Sequence, residues 1–233
     1  MGIFSNLFKS NNQTTQQDNK LEEHKANLEA VTINLKKKTG IDYSTLKSRV
    51  KLVLDYSGSM GNMYLDGTVQ QVITQLLPFA IKFDDDGELD CYLFSDGYKK
   101  ISACTVSNYS NYVKTVINNA HFSMSGTEYA PVLKAIHKSV KQSVPDFIIY
   151  ITDGDNSDKP ETNKIIMDMS TDNCFIMFIG IGNANFNYLE NLDNLSGRPV
   201  DNTGFVKFAD IAHTDDDTMY TKLLTEYSGW LNR

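Results

Sequence analysis

Asp55-Tyr56-Ser57-Gly58-Ser59 sets a carboxylate and two hydroxyls at alternate positions within five residues. An all-oxygen set of this kind suits a hard divalent cation. Mg²⁺ takes six oxygen ligands at about 2.0 to 2.1 Å and keeps several waters, so few protein ligands suffice and an open position is normal. Hydroxyls in place of further carboxylates leave much of the ion's charge unneutralised, and that charge attracts an incoming carboxylate. Taken alone, the same pattern also describes a turn whose side chains cap backbone amides. Other candidates are weaker. Asp84-Asp85-Asp86 and Asp215-Asp216-Asp217 stand beside turns and helix starts and read as solvated charge runs. Gly180-Ile181-Gly182 follows an apolar run, but Asn185 stands where a dinucleotide fingerprint needs its third glycine. His24, His121, His137 and His213 are scattered, and no Ser/His/Asp arrangement accompanies them.

Asp55 ends the run Val50 to Leu54, which is apolar except for Lys51, as in a central parallel strand buried on both faces. A helix follows, with Val69, Val72, Ile73, Leu76, Leu77 and Ala80 on one face and Pro78 as a candidate kink. Leu89–Phe94 and Tyr98–Val106 read as strands joined by Ser95-Asp96-Gly97, a composition that implies an antiparallel hairpin at a sheet edge. Helices are predicted over 108–119, 128–142 and 158–171. Strands are predicted at Phe147–Ile151, Phe175–Ile181 and 203–208, before a last helix carrying Tyr220, Leu223, Leu224, Tyr227 and Leu231. Such alternation predicts an α/β fold, a doubly wound, mostly parallel sheet with one antiparallel edge strand and helices on both faces. Upstream, residues 10–19 are polar and aperiodic and read as a flexible linker behind a short apolar tip. Leu21, Leu28, Val31 and Leu35 mark a helix whose stripe either packs on the main domain or pairs with another chain. The division is therefore 1–47 for tip, linker and helix, and 48–233 for the α/β domain.

From about Arg49 onward, some 185 residues, the sequence resembles the von Willebrand factor A (VWA) family. Asp55, Ser57 and Ser59 match the first motif of its metal-ion-dependent adhesion site (MIDAS). Ser125-Gly126-Thr127, before a helix, matches the family's threonine ligand at Thr127, and Thr152-Asp153-Gly154, at a strand end, matches its aspartate at Asp153. The resemblance implies that the two serines and the threonine touch the metal while the two aspartates act largely through water. It implies Mg²⁺, with Mn²⁺ or Ca²⁺ as substitutes, and a protein partner that supplies an Asp or Glu carboxylate. Asp55 and Asp153 would flank the point where strand order reverses, where open sheets of this type gather ligands. Asp155 and Asp158, close by, either make that loop more acidic or bind a second ion, and His121 is the histidine nearest the Thr127 loop. The SGSM and TDGDN stretches are most similar to the VWA portion of bacterial tellurium-resistance (TerF-like) proteins, which implies a stress or tellurite-resistance setting.

Composition narrows the classes further. A formal net charge of −7 opposes phosphate backbones and anionic lipid, so nucleic acid is not the expected partner. Every apolar run is too short to span a bilayer, and the opening MGIFSNLFKS lacks a secretory h-region. Asn6 stands where a myristoylation motif needs Ser or Thr. Cys91, Cys104 and Cys174 are odd in number and sit in strand-like segments, as buried thiols do. A cytoplasmic location is expected; oligomeric state stays open. A binding module is favoured over an enzyme. An aspartyl-phosphate site wants a second acid where Ser57 stands, and no Gly-x-x-x-x-Gly-Lys loop exists. The alternatives are a Mg²⁺-dependent hydrolase or phosphotransfer enzyme, and a scaffold whose metal is structural.

Overall fold

The structure is a computed structural model that describes the backbone of residues 3–233 and the side chains from residue 15 onward. Six strands form one sheet in the order β3-β2-β1-β4-β5-β6. They are β1 (Arg49–Asp55), β2 (Leu89–Phe94), β3 (Tyr98–Cys104), β4 (Asp146–Thr152), β5 (Cys174–Ile181) and β6 (Thr203–Phe208). All neighbours are parallel except β2 and β3, the hairpin expected at the edge. Strand order reverses between β1 and β4, so the loops after these two strands open side by side.

Period two sorts the central strands between two cores. Leu52 and Leu54 of β1, Ile149 and Ile151 of β4, and Met177 and Ile179 of β5 face one core. Covering it are α1 (Ile3–Thr39), α3 (Thr68–Phe83) and α7 (Asp216–Leu231). Val53, Ile148, Tyr150, Ile176 and Phe178 face the other, beneath α4 (Ala130–His137), α5 (Lys159–Met169) and α6 (Asn187–Asp193). The three cysteines are free and buried. Among the described residues, no helix is long and apolar enough to cross a membrane.

Four local readings change. Residues 10–19 are helical, not a linker, because α1 runs unbroken to Thr39. No Gly or Pro interrupts that stretch. Its middle is tied down by Gln17 Nε2, which donates to the Ser110 carbonyl at 3.0 Å, and by the Tyr109 hydroxyl, which donates to Asp18 at 2.7 Å. Gly40, at φ 77°, then ends the helix in the left-handed conformation that favours glycine. The stripe Leu21, Leu28, Val31 and Leu35 is buried in the shared core, packing α1 on α3 and α7.

The predicted 108–119 helix is instead a 3₁₀ turn, Tyr109–Asn111, and a short π-helix, Val113–Ile117. Gln70 of α3 inserts its amide there, accepting from Val113 N at 3.0 Å and donating to the Tyr109 carbonyl at 2.6 Å, so the α ladder is replaced. The helix predicted to reach 142 stops at His137, where the Ser139 amide and hydroxyl both take the Ile136 carbonyl at 2.7 Å. Finally, α2 (Gly61–Leu65) and α6 had too few apolar positions to show a period.

Candidate metal centre

Asp55 is fully buried at the C-terminal end of β1, and its carboxylate serves the backbone of its own loop. One oxygen accepts from Ser57 N at 2.8 Å; the other accepts from the Thr152 hydroxyl, at the end of β4, at 2.6 Å. Asp55 thereby locks the β1 loop to the β4 loop. Burial pushes its pKa up to about 6; the hydrogen bonds from Thr152 and Ser57 oppose the rise and the charge of Asp153 adds to it. A buried carboxylate with a second one nearby gains most from an added cation.

From Ser57 the chain of oxygens continues outward. The Ser57 and Ser59 hydroxyls are 3.0 Å apart, and Ser59 Oγ donates to Asp153 Oδ1 at 2.9 Å. Adjacent ligands of an octahedral Mg²⁺ at 2.0 to 2.1 Å stand about 2.9 Å apart, the edge of that polyhedron. The spacing and chemistry of these oxygens therefore fit such an ion. Thr127 stays outside this hydrogen-bonded chain. A parallel bridge between Ser57 and Ser125 lays its loop alongside the first one, and Gly58 N donates to the Ser125 carbonyl at 3.3 Å. Thr127 is half-buried in that loop, with its carbonyl taken by Ser157 N at 3.0 Å. Among the described residues, no three His, Cys, Asp or Glu side chains gather into a carboxylate- or imidazole-rich metal set.

Supporting residues that the sequence did not disclose hold the loops from below. The buried Tyr129 hydroxyl donates to the Gly154 carbonyl at 2.8 Å and lies 3.2 Å from the Thr152 hydroxyl. Tyr64, from α2, donates to the Asp55 carbonyl at 2.8 Å. Asp158 accepts from Tyr129 N at 3.0 Å, Ala130 N at 2.7 Å and the Asn156 amide at 2.6 Å, so it anchors the start of α4. Its place just before Lys159-Pro160 signals a cap on α5, but its side chain caps no amide of α5 and serves the start of α4 instead. Asp155 pairs with Lys159 at 2.5 Å. His121 is exposed, with a left-handed φ of 49°.

The two acidic runs divide. Asp84 accepts from Val50 N at 2.8 Å, and Asp215 caps α7 by accepting from Thr218 N at 2.8 Å. Asp216 departs from the solvated reading, because it is buried where α1, α3 and α7 meet. It accepts from Gln75 at 2.6 Å, His24 at 2.7 Å and Asn27 at 2.8 Å. Period and composition carry no signal for a contact made across such distances in sequence.

A parallel sheet with one antiparallel edge, and an Asp-x-Ser-x-Ser loop at its switch point, define a VWA domain. The model of the vWA found in the TerF C terminus matches residues 47–233, and the chain belongs to that vWA-TerF-like family. It is 37% identical over 208 residues to the uncharacterized protein YcbR of Bacillus subtilis (strain 168), covering 87% of this chain and 84% of that protein. Solved structures share the fold at low identity. BatB from Bacteroides thetaiotaomicron has a TM-score of 0.57 at 13% identity, over 78% of this chain and 99% of that one. The manganese-loaded TRAP protein of Plasmodium vivax has 0.54 at 14%, over 81% and 75%. Proximal thread matrix protein 1 from the mussel byssus has 0.56 at 15%, over 81% of this chain and 46% of that one, so this chain spans under half of the mussel protein. A further structure of the mussel protein, with a zinc occupied MIDAS motif, has 0.50 at 15%, over 80% and 48%.

Proposed function

We propose that this chain is a cytoplasmic protein-interaction module that holds one Mg²⁺ through Ser57, Ser59 and Thr127. Asp55 and Asp153 are in direct or water-mediated contact, and a partner's Asp or Glu carboxylate completes the shell. The observation that carries this reading is the run of oxygens from Ser57 through Ser59 to Asp153 at octahedral-edge spacing. Manganese in the TRAP structure and zinc in the mussel protein's MIDAS support a divalent cation on this fold. With neutral hydroxyls as its direct protein ligands, the ion supplies a strong positive field at an open position, which an anionic side chain satisfies better than a neutral one.

Protein groups alone already tie the three loops together, through Asp55, Tyr129 and Asp158. That favours a binding role over a structural metal. Kinship with the TerF C-terminal domain supports service in a bacterial tellurite or stress response. Titration calorimetry tests the site: Mg²⁺ or Mn²⁺ should give heat and raise the melting temperature, and silence up to millimolar concentrations rules the metal out. Asp55→Ala and Thr127→Ala should abolish metal-dependent partner binding while the fold persists. Undiminished binding by a folded, metal-free Asp55→Ala variant removes the carboxylate mechanism.

A further inference from the structure

Each metal loop carries a glycine that the fold itself does not require. Gly58, Gly126 and Gly154 lack the positive φ seen at Gly40 or Gly182, and a β-carbon built on any of them meets no atom within 4 Å. Neither backbone conformation nor packing demands glycine there. What the missing side chains leave is bare backbone around the hydroxyls and carboxylates of the site.

One side of this floor has an apolar rim. Leu65, which ends α2, is 86% exposed, the most exposed large apolar side chain among the described residues. Met124 is 39% exposed and immediately precedes Ser125, whose backbone is bridged to Ser57. The Met124 sulfur stands 3.8 Å from where a β-carbon on Gly61 would lie, so α2 and the Met124 loop adjoin. Half-buried Met63 and Phe122 connect the rim to the core, and Phe122 packs on Tyr56 with ring centroids 6.1 Å apart. A lone exposed leucine needs no explanation, but Leu65 stands one helical turn beyond Gly61, the position that Met124 approaches, so two exposed apolar side chains lie on neighbouring turns beside the bridged Ser57 and Ser125 loops.

We propose that Leu65 and Met124 read the residue beside the metal-bound carboxylate, so that the preferred partner is a protein segment in which an Asp or Glu is flanked by a large apolar side chain. This rests on the metal-dependent docking proposed above. A carboxylate can reach the loops only on a chain that lies over the glycine floor. One residue of extended chain advances about 3.3 to 3.6 Å, so the neighbours of the acidic residue fall within reach of a rim that begins one residue from Ser125. Charge selects in the same direction. Exposed Asp66 adjoins Leu65, and a second acidic residue in the partner at that point meets like charge where an apolar one meets Leu65.

The test uses the full chain and a displayed library of seven-residue peptides with a fixed central Asp or Glu and varied flanks, selected in Mg²⁺ and in chelator. Wild type should enrich, only in Mg²⁺, acids flanked by Leu, Ile, Met or Phe by roughly fivefold to tenfold over Ser flanks, as partial burial of one such side chain allows. Leu65→Ser combined with Met124→Ser should flatten that preference while Mg²⁺ heat and the melting curve stay unchanged. Acid-dependent enrichment without an apolar flank, or a preference that survives in the double variant, overturns the proposal. If Mg²⁺ gives heat but no peptide responds to it, the metal site stands and both the docking reading and the proposal fall. If Mg²⁺ gives no heat, the metal reading itself has failed.

Discussion

Asp55 and Asp146 are fully buried aspartates on neighbouring strands, one closing β1 and the other opening β4. At Asp146 the protein provides its own cations. Arg49 reaches it at 2.5 Å and Lys51 at 2.9 Å, so burial, which raises its pKa, is opposed by two positive charges. At Asp55, among the described residues, no lysine, arginine or histidine forms an ion pair; a hydroxyl and an amide are its partners. The difference separates a charge the fold neutralises internally from one that it supports with hydrogen bonds alone. Both ends of the sheet contain buried charge, and only the end with open loops and bare glycines leaves it unmatched.

The largest expected effect breaks the internally neutralised side. Asp146→Ala leaves Lys51 buried without its anion and should cost about 3 to 5 kcal/mol in urea denaturation. Adding Lys51→Met should recover most of that loss, because it removes the buried cation, while Arg49 is partly exposed and keeps the Ser139 carbonyl as a partner. A cost under about 1 kcal/mol for Asp146→Ala would show that the pair is not what neutralises this end.

The reciprocal change is Asp55→Asn, whose amide can still accept from Ser57 N. Metal-free stability should move by no more than about 1 kcal/mol. Wild type in Mg²⁺ at a hundred times Kd should gain about 2.7 kcal/mol, and the variant none of it. Paired melts with Mg²⁺ and with chelator decide this. A metal-free loss as large as that of Asp146→Ala would erase the distinction between the two ends.

Asp216 supplies an intermediate case, a buried carboxylate satisfied by side chains of other helices. Burial raises its pKa, but hydrogen bonds from His24, Asn27 and Gln75 outweigh burial and hold it below the usual carboxylate range. A depressed folded-state pKa contributes stability that is present above the unfolded value near 3.9 and is lost as pH falls through the lower folded one. Acidification from about pH 5 toward pH 3 should therefore weaken wild type more than Asp216→Asn. Denaturation midpoints at several pH values measure it, and parallel pH profiles would show that this contact contributes nothing.

The sheet was legible because buried parallel strands are written as apolar runs, and β1 and β4 each deliver an aspartate at or just past their end. Asp55, Ser57 and Ser59 were legible for the same reason, being local in one loop. Tyr129, Asp158 and Asp216 were not, since each acts through partners that the chain brings together only after folding. Gln70 shows the converse, a side chain that overrides the local helical preference of 108–119. Residues 10–19 read as a linker because their polarity resembles that of disordered chain, whereas a Gln-rich stretch without Gly or Pro is a competent helix when it continues into a packed one and is tied down at Gln17 and Asp18.

The most peripheral change is removal of residues 1–19, which takes away the Gln17 and Asp18 ties to the Tyr109–Ser110 segment but spares the rest of α1. Two part-buried hydrogen bonds contribute about 1 to 2 kcal/mol together. The apolar stripe that packs α1 onto the sheet starts at Leu21, and His24 and Asn27, which hold Asp216, also lie beyond the cut. The shortened chain should therefore melt cooperatively at a slightly lower urea midpoint, with the same Mg²⁺ heat and an unchanged acid response at Asp216. Cutting on through Leu35 should behave differently, because it strips Leu21, Leu28, Val31 and Leu35 from α3 and α7 and exposes the core they cover. Urea melts and Mg²⁺ titrations on both truncations separate the cases. Loss of the cooperative transition on removal of residues 1–19 alone would mean that the first half of α1 belongs to the core as its second half does.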